Sequence, residues 1–117
     1  MSTSWDQKKF DRWQELRKTL KEHKRAKDYE QVIEVAGKII DLDNEAKFIQ
    51  IMTPLFYKEI GTAREKLGEI SKAIENYQLA ADGFIKYRES NILNEKDDWL
   101  KDIQSLNKKI ERLQSKL

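Results

Sequence analysis

Apolar side chains recur every three or four residues along most of this chain, which is the spacing of helices that bury one face. Only one proline and four glycines interrupt this pattern, too few to separate the strands of a β fold. The pattern therefore predicts an all-α protein. Its five predicted helices run approximately over 4–26, 28–40, 44–67, 71–88 and 95–117, with a loop at 90–94.

Polar residues and helix breakers set the predicted boundaries. Ser4 and Asp28 are each followed three residues later by glutamine, the arrangement of a capping box at a helix start. The segment Asp-Leu-Asp-Asn at 41–44 is predicted to be a turn, with Asn44 as the cap of the third helix. Pro54 should kink or restart that helix, and Gly68 should end it.

Two segments of the chain match each other at an offset of 41 residues. Residues 27–34 align with 68–75. The small residue Gly61 lies twelve positions before Ala73, and Ala73, Tyr77 and Ala80 then follow at helical spacing. This pattern resembles the tetratricopeptide repeat, a helix–turn–helix unit that stacks into a superhelix. The resemblance implies an antiparallel αα superhelical stack within one domain, with about two helix pairs (13–53 and 54–94) and a C-terminal capping helix (95–117).

The predicted core consists of the apolar and small residues that the two predicted helix pairs place on their inward faces. They are Leu16, Leu20, Val32, Ala36, Ile39, Tyr57, Gly61, Ala73, Tyr77, Ala80 and Phe84.

The resemblance also implies a binding groove lined by the first helix of each pair. The groove positions that we expect to contact a partner are Arg17, Lys21, Lys24, Arg25, Lys58 and Thr62. Glu59 departs from the family pattern, because it stands where an asparagine of the family's carboxylate-binding groove is expected. The function implied is that of a small adaptor, co-chaperone-like or regulatory protein.

The charge distribution bears on the partner of such a groove. Residues 1–27 hold nine Lys or Arg and four Asp or Glu, whereas residues 28–60 hold three and seven. A cationic first helix favours an acidic peptide or protein surface. Two other interpretations stay open: a solvated face, and internal pairing between the first helix and acidic residues such as Glu34 and Asp43 of the second. Binding of nucleic acid through phosphates is a further alternative, although the chain contains no recognised nucleic-acid motif.

The last predicted helix carries an apolar stripe from Trp99 to Leu117 with steps of four and three residues. The stripe can cover the open end of the stack, or it can form a coiled-coil homodimer with a second copy. We favour the capping role.

The sequence offers little for catalysis or metal binding. It has no cysteine, His23 is its only histidine, and it lacks a glycine-rich phosphate loop and a nucleophile elbow. Asp97 and Asp98 are expected to complement a helix N-terminus rather than bind metal. We expect a protein without enzymatic activity or cofactor. The cysteine-free composition and the absence of a signal or membrane-spanning segment favour the cytoplasm.

Overall fold

The computed structural model describes residues 7–46, 53–90, 97 and 99–117. This part of the chain forms helices and turns without strands, which confirms the predicted all-α class. Each helix packs mainly against the next one along the chain, as in a helical stack. The helices are α1 (Gln7–Ala26), α2 (Tyr29–Ala46), α3 (Thr53–Lys66), α4 (Ile70–Ser90) and α5 (Leu100–Gln114).

No helix in the described ranges is both long and apolar enough to cross a membrane.

The turn between α1 and α2 is closed by backbone hydrogen bonds around a left-handed residue. Lys27 has φ 57°, its amide donates to the Lys24 carbonyl at 3.1 Å, and the Asp28 amide donates to the His23 carbonyl at 3.0 Å. These two bonds satisfy carbonyls that the end of a helix otherwise leaves unpaired. Asp28 then caps α2, because the Gln31 amide donates to its carboxylate at 3.4 Å, as the sequence predicted.

The turn between α3 and α4 repeats the same geometry. Gly68 has φ 80°, its amide donates to the Glu65 carbonyl at 3.0 Å, and the Glu69 amide donates to the Arg64 carbonyl at 2.9 Å. Each donor and acceptor lies 41 residues after its counterpart in the first turn. The offset found in the sequence is therefore also the offset between the two helix–turn–helix turns.

Two hydrophobic clusters lie on either side of α3. The first joins α1, α2 and α3 and contains Trp13, Leu16, Leu20, Val32, Val35, Ala36, Ile39, Ile40, Phe56, Ile60 and Ala63. The second joins α4 and α5 and contains Ala73, Ile74, Tyr77, Ala80, Ala81, Phe84, Ile103, Leu106, Ile110 and Leu113. Tyr57 on α3 is half-buried and packs against both. The other ten predicted core residues are buried. Leu67, the last residue of the predicted third helix, is 40% exposed.

The predicted turn at 41–44 is wrong. Those residues continue α2, which runs to Ala46, so Asn44 is a helical residue and not the cap of a third helix. Leu42 packs on the first core cluster, and Asp43 is 1% exposed with its carboxylate accepting a hydrogen bond from the Thr53 hydroxyl. These contacts hold the segment in a helix although its polar residues favour a turn.

Helix α4 and the end of α3 agree closely with the predicted bounds. Helix α3 begins at Thr53, immediately before Pro54, and ends two residues before Gly68. Helix α4 begins at Ile70 and extends to Ser90, the first residue of the predicted loop. Predicted elements at Ser4, 47–52 and 91–96 lie outside the described residues.

The last helix begins later than predicted. Helix α5 starts at Leu100 rather than Glu95, because Trp99 adopts a left-handed conformation with φ 68°. The Trp99 ring stacks on the Phe84 ring at a centroid distance of 5.3 Å. The Trp99 side chain therefore packs against α4. Trp99 itself lies in the turn before α5 and is not part of the apolar stripe of that helix.

Candidate functional site

A groove of about 310 Å³ separates α1 from α3 on one face of the stack. It contains three of the six predicted partner-binding residues. Its lining consists of Arg17, Leu20, Lys21 and Lys24 from α1, and Leu55, Phe56 and Glu59 from α3.

The cationic wall of this groove follows from the helical spacing of α1. Arg17, Lys21 and Lys24 lie at i, i+4 and i+7, so they share one face of the helix. The Arg17 guanidinium lies over the Trp13 ring, 4.8 Å from its centroid. Stacking uses the flat face of a guanidinium and leaves its N–H edge able to bind a carboxylate.

The facing wall on α3 is largely apolar. Leu55 is half-buried and lines the groove beside Phe56, which is 6% exposed and belongs to the first core cluster. Leu20 contributes a third apolar side chain from α1. The groove therefore has a charged side and an apolar side, and an amphipathic ligand would match both.

An ion pair crosses the end of the groove. The Lys24 ammonium donates to the Glu59 carboxylate at 2.8 Å and links α1 to α3. Both residues also line a second cavity of about 190 Å³, which Thr62 and Tyr29 help to form. The ion pair therefore lies at the boundary between the two cavities.

Lys21 is the groove cation without an internal partner in the described ranges. It is exposed, and no carboxylate of those ranges forms an ion pair with it. Two acidic residues of α2 form ion pairs with other lysines: Glu34 pairs with Lys38 at 3.5 Å, and Glu45 pairs with Lys9. The predicted alternative of pairing between α1 and α2 thus applies to Lys9, whereas Lys24 pairs with α3.

The remaining predicted site residues lie away from the groove. Arg25 is exposed and is not part of its lining. Lys58 is half-buried outside the lining, and its carbonyl accepts a hydrogen bond from the Thr62 hydroxyl at 3.0 Å. Thr62 belongs to the second cavity. The structure therefore brings together Arg17, Lys21 and Lys24, but not the other three.

A polar cluster connects α3, α4 and α5 on the other side of α3. The Tyr77 hydroxyl donates to the Glu65 carboxylate at 3.0 Å and lies 3.2 Å from the Thr62 hydroxyl. The Arg112 guanidinium donates to the other Glu65 oxygen at 2.9 Å. Two carboxylates of α3 thus hold cations of other helices: Glu59 pairs with Lys24 of α1, and Glu65 pairs with Arg112 of α5.

This cluster shifts the pKa values of two of its members. Burial and the neighbouring Glu65 carboxylate raise the pKa of Tyr77 from 10.0 to about 12. Burial opposes ionisation of Glu65, but hydrogen bonds from Arg112 and Tyr77 and the positive charges of Arg112 and Lys109 together lower its pKa. Glu65 is thereby held as a carboxylate between α4 and α5.

Sequence reasoning does not identify Leu20 and Phe56 as part of the groove lining, and it does not predict the ion pair of Glu59 with Lys24. Glu59 lies 35 residues from Lys24 along the chain, so only the packing of α1 against α3 reveals their contact.

The apolar stripe of α5 is used within its own chain. Ile103, Leu106, Ile110 and Leu113 are buried in the second core cluster against α4. In this conformation the same side chains cannot also form a seam with a second copy. Leu117, the last residue of the predicted stripe, is 72% exposed.

The candidate metal-binding residues are separated. His23 Nδ1 lies 3.9 Å from an Asp28 oxygen beside the α1–α2 turn. Asp97 is exposed, and Asp98 lies outside the described residues. No group of three histidine, cysteine or acidic side chains in the described ranges is arranged to hold a metal ion.

Comparison of the chain with protein-family models, with curated proteins and with solved structures finds no match. The resemblance to the tetratricopeptide repeat therefore stays a prediction from the sequence.

Proposed function

We propose that this protein is a small interaction module whose α1–α3 groove binds an acidic, partly apolar peptide segment of another protein. The observation that carries the proposal is the two-sided groove: Arg17 and Lys21 line one wall and Leu55 lines the other. The tetratricopeptide resemblance supports the same face as a binding surface. An adaptor or regulatory role in the cytoplasm remains part of this proposal.

Charge complementarity defines the ligand. The groove lining contains three cations and one carboxylate, and that carboxylate, on Glu59, is already paired with Lys24. Lys21 and the N–H edge of Arg17 can donate charge-assisted hydrogen bonds to acidic side chains. An acidic ligand thus gains interactions that a neutral or basic ligand would lack.

The shape of the groove favours a ligand with alternating side chains. In an extended peptide, successive side chains point to opposite sides, and side chains two residues apart share a side. Acidic residues at alternate positions would then face Arg17 and Lys21, while the apolar residues between them would face Leu55. The pattern acid–apolar–acid is the simplest sequence that satisfies both walls.

A peptide-binding measurement with paired variants tests this proposal. The probes are fluorescent peptides of sequence Glu-Leu-Glu-Leu-Gln and Gln-Leu-Gln-Leu-Gln, titrated by fluorescence anisotropy at low and physiological salt. We expect the acidic probe to bind more tightly, and Lys21→Glu to weaken it by about fivefold or more at low salt. The matched control is Lys18→Glu, an exposed lysine of α1 outside the groove lining, which should have a smaller effect.

Two results would contradict the proposal. Equal binding of the acidic and neutral probes would show that charge does not select the ligand. Equal weakening by the Lys21 and Lys18 variants would show that net charge, and not the groove, is responsible. Tight binding of a single-stranded oligonucleotide with a steep salt dependence would instead favour the nucleic-acid alternative.

A further inference from the structure

The Lys24–Glu59 ion pair at the end of the groove affects which acidic ligands can bind there. This inference rests on the proposed function, because it concerns the same groove. The three cations that line the groove do not have the same surroundings: of these three, only Lys24 forms an ion pair with a carboxylate of the described ranges. A ligand carboxylate that approaches Lys24 would also approach Glu59.

The geometry points to Glu59 as a specificity residue that rejects a third acidic side chain in the ligand. We infer that the groove selects peptides with two acidic residues at alternate positions, followed on the same side by a neutral residue. The neutral residue would lie against the Lys24–Glu59 pair, where an amide can donate to Glu59 and accept from Lys24. A carboxylate in that place would compete with Glu59 for one ammonium group.

Helix and strand dimensions support this register. Arg17 and Lys21 are four residues apart on α1, a rise of about 6 Å. Alternate residues of an extended peptide are separated by about 6.6 Å, so two acidic side chains can meet these two cations. The next residue on the same side then reaches the neighbourhood of Lys24, a further ~4.5 Å along the helix.

The repulsion between Glu59 and a third ligand carboxylate depends on solvation as well as on charge. The Glu59 side chain is 29% exposed and the Lys24 side chain 47% exposed, so Glu59 is the less solvated partner. A bound peptide would cover the groove further and reduce the screening of like charges by water. The cost of a third carboxylate should therefore be larger in the complex than on the free surface.

A comparison of three probes measures the selection. They are Glu-Leu-Glu-Leu-Gln, its reverse Gln-Leu-Glu-Leu-Glu, and the triacidic Glu-Leu-Glu-Leu-Glu. The two diacidic probes cover both directions in which a peptide can lie in the groove. For the native protein, we expect the tighter diacidic probe to bind at least as well as the triacidic one, although the latter carries more negative charge.

Replacement of Glu59 should reverse the preference for a diacidic probe over the triacidic one. Glu59→Gln removes the repulsion and leaves Lys24 without its partner, so the triacidic probe should gain about two- to tenfold in affinity relative to the diacidic probes. The matched control is Glu65→Gln, which removes another α3 carboxylate that is paired with a cation but lies outside the groove. This control should leave the ratio of affinities unchanged. Circular dichroism of each variant checks that it is folded.

Different results would overturn the proposed function and the role of Glu59. If no acidic probe binds better than the neutral peptide, the proposed function is wrong. If the acidic probes bind and Lys21→Glu weakens them, but the native protein prefers the triacidic probe and Glu59→Gln leaves that preference unchanged, the groove assignment stands and the role of Glu59 is overturned.

Discussion

The ring of Tyr77 packs directly against the backbone of Gly61 across the α3–α4 interface. A Cβ atom on Gly61 would lie 2.7 Å from two carbon atoms of that ring, and Tyr77 is fully buried. Such a distance is far shorter than an ordinary van der Waals contact. The close approach of α3 and α4 therefore depends on the missing side chain at position 61.

Replacement of this glycine should destabilise the protein. Gly61→Ala is expected to lower the free energy of unfolding by about 1–3 kcal/mol, because the Tyr77 ring cannot move freely in a packed core. Gly61→Leu should cost more. The matched control is Gly37→Ala in α2, where an added Cβ meets no atom within 4 Å and should raise stability by up to about 1 kcal/mol. Urea unfolding of the three variants tests this, and an unchanged Gly61→Ala midpoint would contradict the packing.

A second close contact joins Gly83 on α4 to Pro54 near the start of α3. A Cβ on Gly83 would lie 2.6 Å from the Pro54 Cγ atom. We expect Gly83→Ala to destabilise the protein by about 1–3 kcal/mol. Pro54→Ala removes Cγ, so the double variant should be more stable than the sum of the two single effects predicts, by about 0.5 kcal/mol or more. Strict additivity would argue against this contact.

The raised pKa of Tyr77 predicts a loss of stability in alkali. The pKa of Tyr77 is 10.0 in the unfolded state and about 12 in the folded state. The contribution of Tyr77 to the free energy of unfolding is therefore complete below pH 10 and is lost as the pH rises through this interval. Unfolding free energy measured across this range should therefore fall more steeply for the native protein than for Tyr77→Phe. The difference between the two curves isolates the contribution of Tyr77, because all other groups are the same in both proteins. Parallel curves would contradict the prediction.

The buried stripe of α5 predicts that this helix stabilises its own chain. Leu106 is fully buried, so Leu106→Ala should cost about 2–5 kcal/mol, whereas Leu117→Ala at a 72% exposed position should change stability by less than about 0.5 kcal/mol. Sedimentation decides between the two roles of the helix. A monomer of reduced stability supports capping, while a native dimer that Leu106→Ala converts into an equally stable monomer would support the coiled coil.

Local sequence signals determined most of the helical architecture. Apolar spacing located the helices, Asp28 and Gly68 marked a helix start and a helix end, and small residues at Gly61 and Ala73 indicated close helix packing. These signals act within one or two turns of helix, so they can be read from neighbouring residues. The two matching segments, 41 residues apart, form turns of the same geometry, because each turn is specified by its own neighbouring residues.

Tertiary packing decided what local signals left open. The polar segment 41–44 stays helical because Asp43 is buried and bonded to Thr53, ten residues later. The register of α1 against α3 brings Lys24 to Glu59, whereas Arg17 and Lys21 form no ion pair with a carboxylate of the described ranges. Contacts of this kind depend on how whole helices lie against each other, and no local pattern in the sequence records that arrangement.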